Sequence, residues 1–357
     1  TTPYEYRDMI EAAALSWNLA FEAVGFSNAL VVKQQPDDAD WDAGDIRYNV
    51  LRWTASPNPP FGGYGPSFTN PRTGQIIGAD IMLEFSFLTN RLRIKDVLQP
   101  SASQLDGLGR RCDLGAHMQM DQMFAAQALA MNGVAEALRE QLIKDSMYML
   151  ILHEIGHTLG LTHNMRASQL QPDVFDEVAV AATGLSGSVM DYEAVNVAPP
   201  GEAQTPFYQN RPGLYDHWAI EYGYAPSLAE KAAEQERLQT LLARSTEPEL
   251  VYGNDADDMR RPGRGIDPHI NIYDHSGDAV GYAEQRLQLV RAMRADLLEN
   301  YQGETYQALY NSHVLLMNQL SRSGGVVSRY VGGVHVNRTP PGASGVPPYQ
   351  PVSARQQ

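Results

Sequence analysis

Apolar and polar positions divide the chain into an early mixed region and a later helical one. Near the start, Ile10, Ala13, Ala14, Trp17, Phe21 and Val24 recur at helical spacing, the stripe of a helix with one face in a core. Thr2-Pro3-Tyr4-Glu5 reads as a capping box with proline at the first helical position, and Gly25 closes the helix. Residues 29–32, 46–53 and 75–87 read as strands, whereas residues 57–74, rich in Gly, Pro and Asn, read as a loop. Residues 106–132 form a helical insertion carrying Met118, Met120, Met123 and Met131, expected to pack near a cleft. Their spacing is too loose for a soft-metal site.

Residues 136–159 read as one continuous helix, and 215–222, 228–243, 283–299 and 305–320 as further helices. Residues 326–336 suggest a strand or hairpin, and the Pro-rich segment after Thr339 a linker or boundary. No internal repeat is visible. The expected organisation is α+β. Residues 1–163 form an upper subdomain with the sheet and the helix of 136–159, residues 164–340 a mostly helical lower subdomain, and residues 341–357 a tail.

Composition narrows the partners. A chain of 357 residues, 43% hydrophobic, can bury a sizeable core. Its formal net charge of −15 disfavours nucleic acid and anionic lipid, both of which need a basic footprint. The single cysteine, Cys112, excludes an internal disulfide. No run of about 20 apolar residues is present, so no membrane span is expected. The start at Thr1-Thr2-Pro3, without an initiator methionine or signal peptide, suggests a mature product or an excised fragment. A monomer is expected.

The strongest chemical signal is His153-Glu154-Ile155-Gly156-His157-Thr158-Leu159-Gly160-Leu161-Thr162-His163, which reads H-E-x-x-H-x-x-G-x-x-H. The five-residue core of this motif would arise by chance in roughly 1% of such chains, the full form in about 3 per 100,000. The longer form therefore decides the reading. His153 and His157, four apart, stack on one helix face and can share a metal. Glu154 points beside that metal, where a general base is needed. Gly160 can turn left-handed and end the helix, returning His163 as a third ligand. Three protein ligands leave a fourth position open, the mark of a catalytic Zn2+ site suited to amide hydrolysis. A carboxylate downstream (Asp173, Asp176 or Glu177) is the rival third ligand. The remaining histidines, His117, His217, His269, His275, His313 and His335, read as structural or surface residues. Asn254-Asp255-Ala256-Asp257-Asp258, near Asp267, Asp274 and Asp278, has the oxygen density of a Ca2+ site. It lacks the glycine of an EF-hand loop, which favours a solvated loop.

With this motif the chain resembles the metzincin clan of zinc endopeptidases. Ser188-Val189-Met190-Asp191-Tyr192 matches the clan's methionine turn, so the resemblance implies that Met190 floors the three imidazoles. It also offers Tyr192 as an oxyanion stabiliser, with a purely structural tyrosine as the equal alternative. Residues 45–50, 70–74 and 213–220 are similar to large bacterial metzincin-like proteins assigned as zinc-dependent metalloproteases. That resemblance implies a twisted mixed sheet with the active-site helix above a cleft. It implies a polypeptide substrate bound in extended form and a secreted or periplasmic location. By the same likeness the strand of residues 75–87 is the candidate edge for substrate pairing, a buried central strand being the alternative. Arg111-Cys112-Asp113 is similar to an inhibitory propeptide cysteine, but its place ahead of the active-site helix favours an ordinary cysteine. Two rivals accompany the endopeptidase reading. One is a catalytically silent peptide-binding module, against which the intact Glu154 argues. The other is a zinc amidase acting on a non-protein amide.

Overall fold

The computed structural model of the protein describes residues 2–56, 63–84, 114–131, 136–258, 265–339 and 346–357. The first apolar stripe folds as two successive helices, α1 (Tyr4–Ser16) and α2 (Asn18–Glu22), parted by a turn at Trp17. Pro3 occupies the N-cap position with no side-chain cap, so the expected capping box does not form. Ile10, Ala13, Trp17 and Phe21 enter the main core as the spacing predicts. Gly25 ends the unit with φ of 92°. The strand expected at residues 29–32 is absent. The Asn18 side chain takes both backbone groups of Leu30, donating to its carbonyl (3.0 Å) and accepting from its N–H (2.8 Å), which replaces a ladder.

The sheet is small and mixed. Strand β1 (Val50–Thr54) runs parallel to β4 (Ile76–Glu84), while β2 (Gly63–Tyr64) and β3 (Ser67–Thr69) pair antiparallel with β4. Two strands thus lie within the segment read as a loop, since its Gly and Pro residues mask short pairings. Strand β4 is central, with β1 on one side and β2 and β3 on the other. It is therefore not the edge expected to receive substrate. Residues 85–87 of that expectation lie outside the described residues.

Helix α3 (Leu114–Met131) is buried along most of its length, and Met118 and Met120 pack into core clusters. Cys112 lies outside the described residues. Helix α4 (Glu136–Thr158) follows the predicted span closely and packs against α1, α3 and the sheet. Trp17, fully buried, donates its indole N–H to the Leu152 carbonyl of α4 (3.1 Å). Beyond it come α5 (Glu177–Thr183), α6 (Leu214–Tyr224), α7 (Lys231–Ala243) and the single turn α8 (Asp255–Asp258). The helices α9 (Ala279–Ala295), α10 (Leu297–Asn300) and α11 (Tyr306–Ser328) complete the set. Helix α11 continues through Gly324 and Gly325 instead of giving way to a strand at 326, because its apolar face packs on α9 and α3. Buried Asp121 of α3 joins them, accepting from Gln319 (2.8 Å) and Arg322 (2.6 Å) of α11. A final hairpin pairs β5 (Val334–Val336) with β6 (Tyr349–Pro351), and Val352 beyond it is buried. The tail thus re-enters the fold. No helix among the described residues is long and apolar enough to cross a membrane.

Candidate metal centre

Helix α4 carries His153 and His157 one turn apart, with ring centroids 4.7 Å from one another. Gly160 has φ of 94°, outside the range most side chains allow, and the chain reverses there. That reversal brings His163 back to 4.8 Å from His157 and 5.3 Å from His153, ring to ring. Each of the three offers one ring nitrogen within 4.8 Å of the others.

Hydrogen bonds fix which nitrogen each ring offers. His153 Nδ1 donates to the Val189 carbonyl (2.7 Å) and His157 Nδ1 to the Leu161 carbonyl (3.0 Å). A carbonyl can only accept, so both hydrogens sit on Nδ1. His163 Nδ1 faces the Asp255 carboxylate at 2.8 and 2.9 Å. A lone pair on Nε2 therefore remains on each neutral ring. The Nε2 atoms of His157 and His163 stand 3.1 Å apart, and the buried Nε2 of His153 has no hydrogen-bond partner. Facing lone pairs repel unless a cation lies between them. Two nitrogens each about 2.0–2.1 Å from a tetrahedral zinc would be about 3.3 Å apart, close to the separation found. The donor set fits zinc.

Burial favours the neutral form these ligands need. It holds His153 well below the ordinary histidine range, with the neighbouring His157 and His163 adding to the effect. His157 is pushed down to about 4, by burial first and by His163 second. Burial raises the Asp255 carboxyl, but its hydrogen bond to His163 outweighs this and leaves it below the usual value. Asp255 thus orients a ligand ring, the common arrangement behind metal-binding histidines.

The acidic cluster thought suitable for calcium disperses to separate partners. Asp255 serves His163, Asp257 pairs with Arg338, and Asp267 pairs with Arg166. Two of the rival third ligands, Asp173 and Asp176, are committed elsewhere too. Asp176 caps α5, accepting from Val178 N and Ala179 N, and Asp173 accepts from Phe175 N.

Met190 is fully buried, and its sulfur lies 2.3 Å from where a Cβ on Gly156 would be, so a side chain at 156 would force the methionine to shift. Asp216 of α6 sets the methionine turn. It accepts from Ser188 Oγ (2.5 Å), Val189 N (2.9 Å) and Gly213 N (2.8 Å). Its own carboxyl is pushed up to about 6 by burial, against the pull of those three donors. The turn it clamps presents the Val189 carbonyl to His153. Asp216 and Asp255 were not singled out for these tasks in the sequence, because each acts through contacts between distant segments. Tyr192 packs against the ligands, 4.8 Å from the His163 ring and 5.7 Å from that of His153. Behind it lies His117, whose ring is hydrogen-bonded by the Tyr273 hydroxyl (2.6 Å).

Glu154 is fully buried under β2. A Cβ on Gly63 would lie 3.0 Å from its Oε1, and one on Gly65 would lie 3.1 Å from its Oε2 and inside contact with its backbone carbonyl. The glycines read as loop markers are what lets the strand cross this residue closely.

Fold and site together define an α+β protein with a three-histidine centre on a helix and a methionine turn beneath it. Residues 135–357 match the family described as Met-zincin, more than half of the chain. The chain belongs to that family and is a metzincin-clan, metalloprotease-like protein, which implies zinc. No curated protein and no solved structure matches it.

Proposed function

We propose that the protein is a zinc-dependent endopeptidase in which His153, His157 and His163 hold the metal and Glu154 is the general base. The carrying observation is the convergence of three ring nitrogens, with Glu154, a fully buried carboxylate, next to His153 along helix α4. Bound zinc would supply Lewis acidity, making water acidic near neutral pH and polarising a carbonyl. Glu154 accepts the proton of the attacking water and passes it to the departing amine. Val189, Leu161 and Asp255 hold the ligand rings in one tautomer, which keeps the metal-facing lone pairs fixed. Tyr192, packed on two of the rings, is the residue placed to donate to a developing oxyanion, with a purely structural tyrosine as the alternative.

An extended polypeptide lies alongside β2, the strand that crosses Glu154 and ends the sheet order β1–β4–β2. The substrate is held between an upper part, residues 1–163, and a lower part carrying Met190. By resemblance the working location is outside the cytoplasm.

Cleavage of unfolded protein by wild type and by Glu154→Ala tests this reading, with bound zinc measured in both. Zinc retained and cleavage lost supports it. Equal cleavage by both overturns Glu154 as the base, and no cleavage by either while peptide still binds replaces the reading with a scaffold that binds without cutting.

A further inference from the structure

Away from α4, a second group of metal-binding side chains meets. Asp267, His269 and His335 each bring one donor atom within 4.8 Å of the other two. Two come from the segment ahead of α9 and one from β5, and Asp267 and His335 are 68 positions apart. Asp267 is only 3% exposed, and its two oxygens have different duties. Oδ2 accepts from Arg166 Nη1 (3.2 Å) and Val336 N (3.0 Å). Oδ1 accepts from His269 N (3.0 Å) and lies 3.4 Å from His335 Nδ1. The two imidazole rings lie 4.1 Å apart at an interplanar angle of 31°.

We propose that Asp267, His269 and His335 form a second metal site, for a first-row divalent cation such as zinc, that fastens the C-terminal hairpin and takes no part in catalysis. Two imidazoles and one carboxylate oxygen suit zinc, nickel or copper(II) and not calcium or magnesium, which prefer oxygen throughout. Arg166 occupies Oδ2 and leaves Oδ1 as the oxygen turned to the rings.

The hairpin has reason to need a fastening. It has two strands of three residues each, and β6 is exposed along its length. Such a unit is marginal alone. Just past β5, Arg338 pairs with Asp257 in the same turn, α8, that supplies Asp255 to His163. Arg338 and the proposed site thus hold the same hairpin at two separate points.

Metal analysis tests the proposal. Protein saturated with zinc and desalted is expected to hold two equivalents. The His269→Gln/His335→Gln variant is expected to hold one, with an unchanged far-ultraviolet circular dichroism spectrum. One equivalent in wild type overturns the proposal, as do two in the folded double variant. Should the double variant fail to fold, His335→Gln decides. It is expected to weaken the second equivalent by at least about tenfold against a chromogenic chelator, and unchanged affinity overturns the site. His157→Gln in parallel is expected to lose the other equivalent, so failure here stays distinct from failure of the peptidase reading.

Discussion

Two histidine clusters in this molecule were assembled by opposite routes. His153, His157 and His163 lie within eleven residues, and a single helix with its terminal turn brings them together. Asp267, His269 and His335 meet only because β5 folds back onto the segment ahead of α9. In the first cluster each ring has its own acceptor on Nδ1, which frees Nε2 for a metal. In the second, a guanidinium and backbone N–H groups already draw on the carboxylate. Local geometry alone assembles the first cluster, whereas long-range folding assembles the second.

The largest test of this contrast is metal removal. Chelation is expected to abolish peptide cleavage, and zinc is expected to restore it. Recovery without added metal would break the comparison at its root. Next, Glu154→Ala should lower kcat/KM by about 10²–10⁴ with zinc retained, whereas substitutions at His269 and His335 should leave peptide cleavage far less affected. Asp255→Asn should weaken metal binding at the first cluster by about 10–100-fold, read by competition with a chelator. Asp267→Asn should leave that affinity alone, and equal effects from both would erase the distinction.

Gly65→Ala should destabilise the fold by about 1–3 kcal/mol, because its Cβ meets the backbone of Glu154. Urea unfolding measures this, and a neutral result would mean that β2 does not press on α4. The smallest effect concerns His275, buried at 3.7 Å from Glu193 and pushed down to about 3 by burial first and Arg286 second. Below pH 6.5 the unfolded chain binds a proton there that the folded chain does not, so stability falls as pH drops from 6.5 towards 3. Buried Glu193, raised well above its usual value, acts in the opposite sense, its contribution present at low pH and lost as pH rises. His275→Gln should flatten the acid limb by up to about 1.4 kcal/mol per pH unit, seen as converging unfolding midpoints between pH 7 and 4.5.

The sequence was most readable where contacts are short in range. The stripe from Ile10 to Phe21, the span of α4 and the three histidines all follow from 3.6-residue periodicity and one left-handed glycine. It was least readable where a side chain serves a distant backbone. Asn18 replaced a strand at Leu30, and β2 and β3 hid among glycines and prolines. Packing on α9 and α3 carried α11 past Gly324 and Gly325.

By itself, the sequence determined a helix bearing two histidines, a reversal supplying a third, and a carboxylate beside them, because those spacings are set by backbone geometry alone. Only the tertiary structure decided that Asp255 and Asp216 position the histidine rings and the methionine turn, that β2 crosses Glu154, and that His269 meets His335. Those outcomes depend on which remote surfaces bury one another, and no local spacing records that.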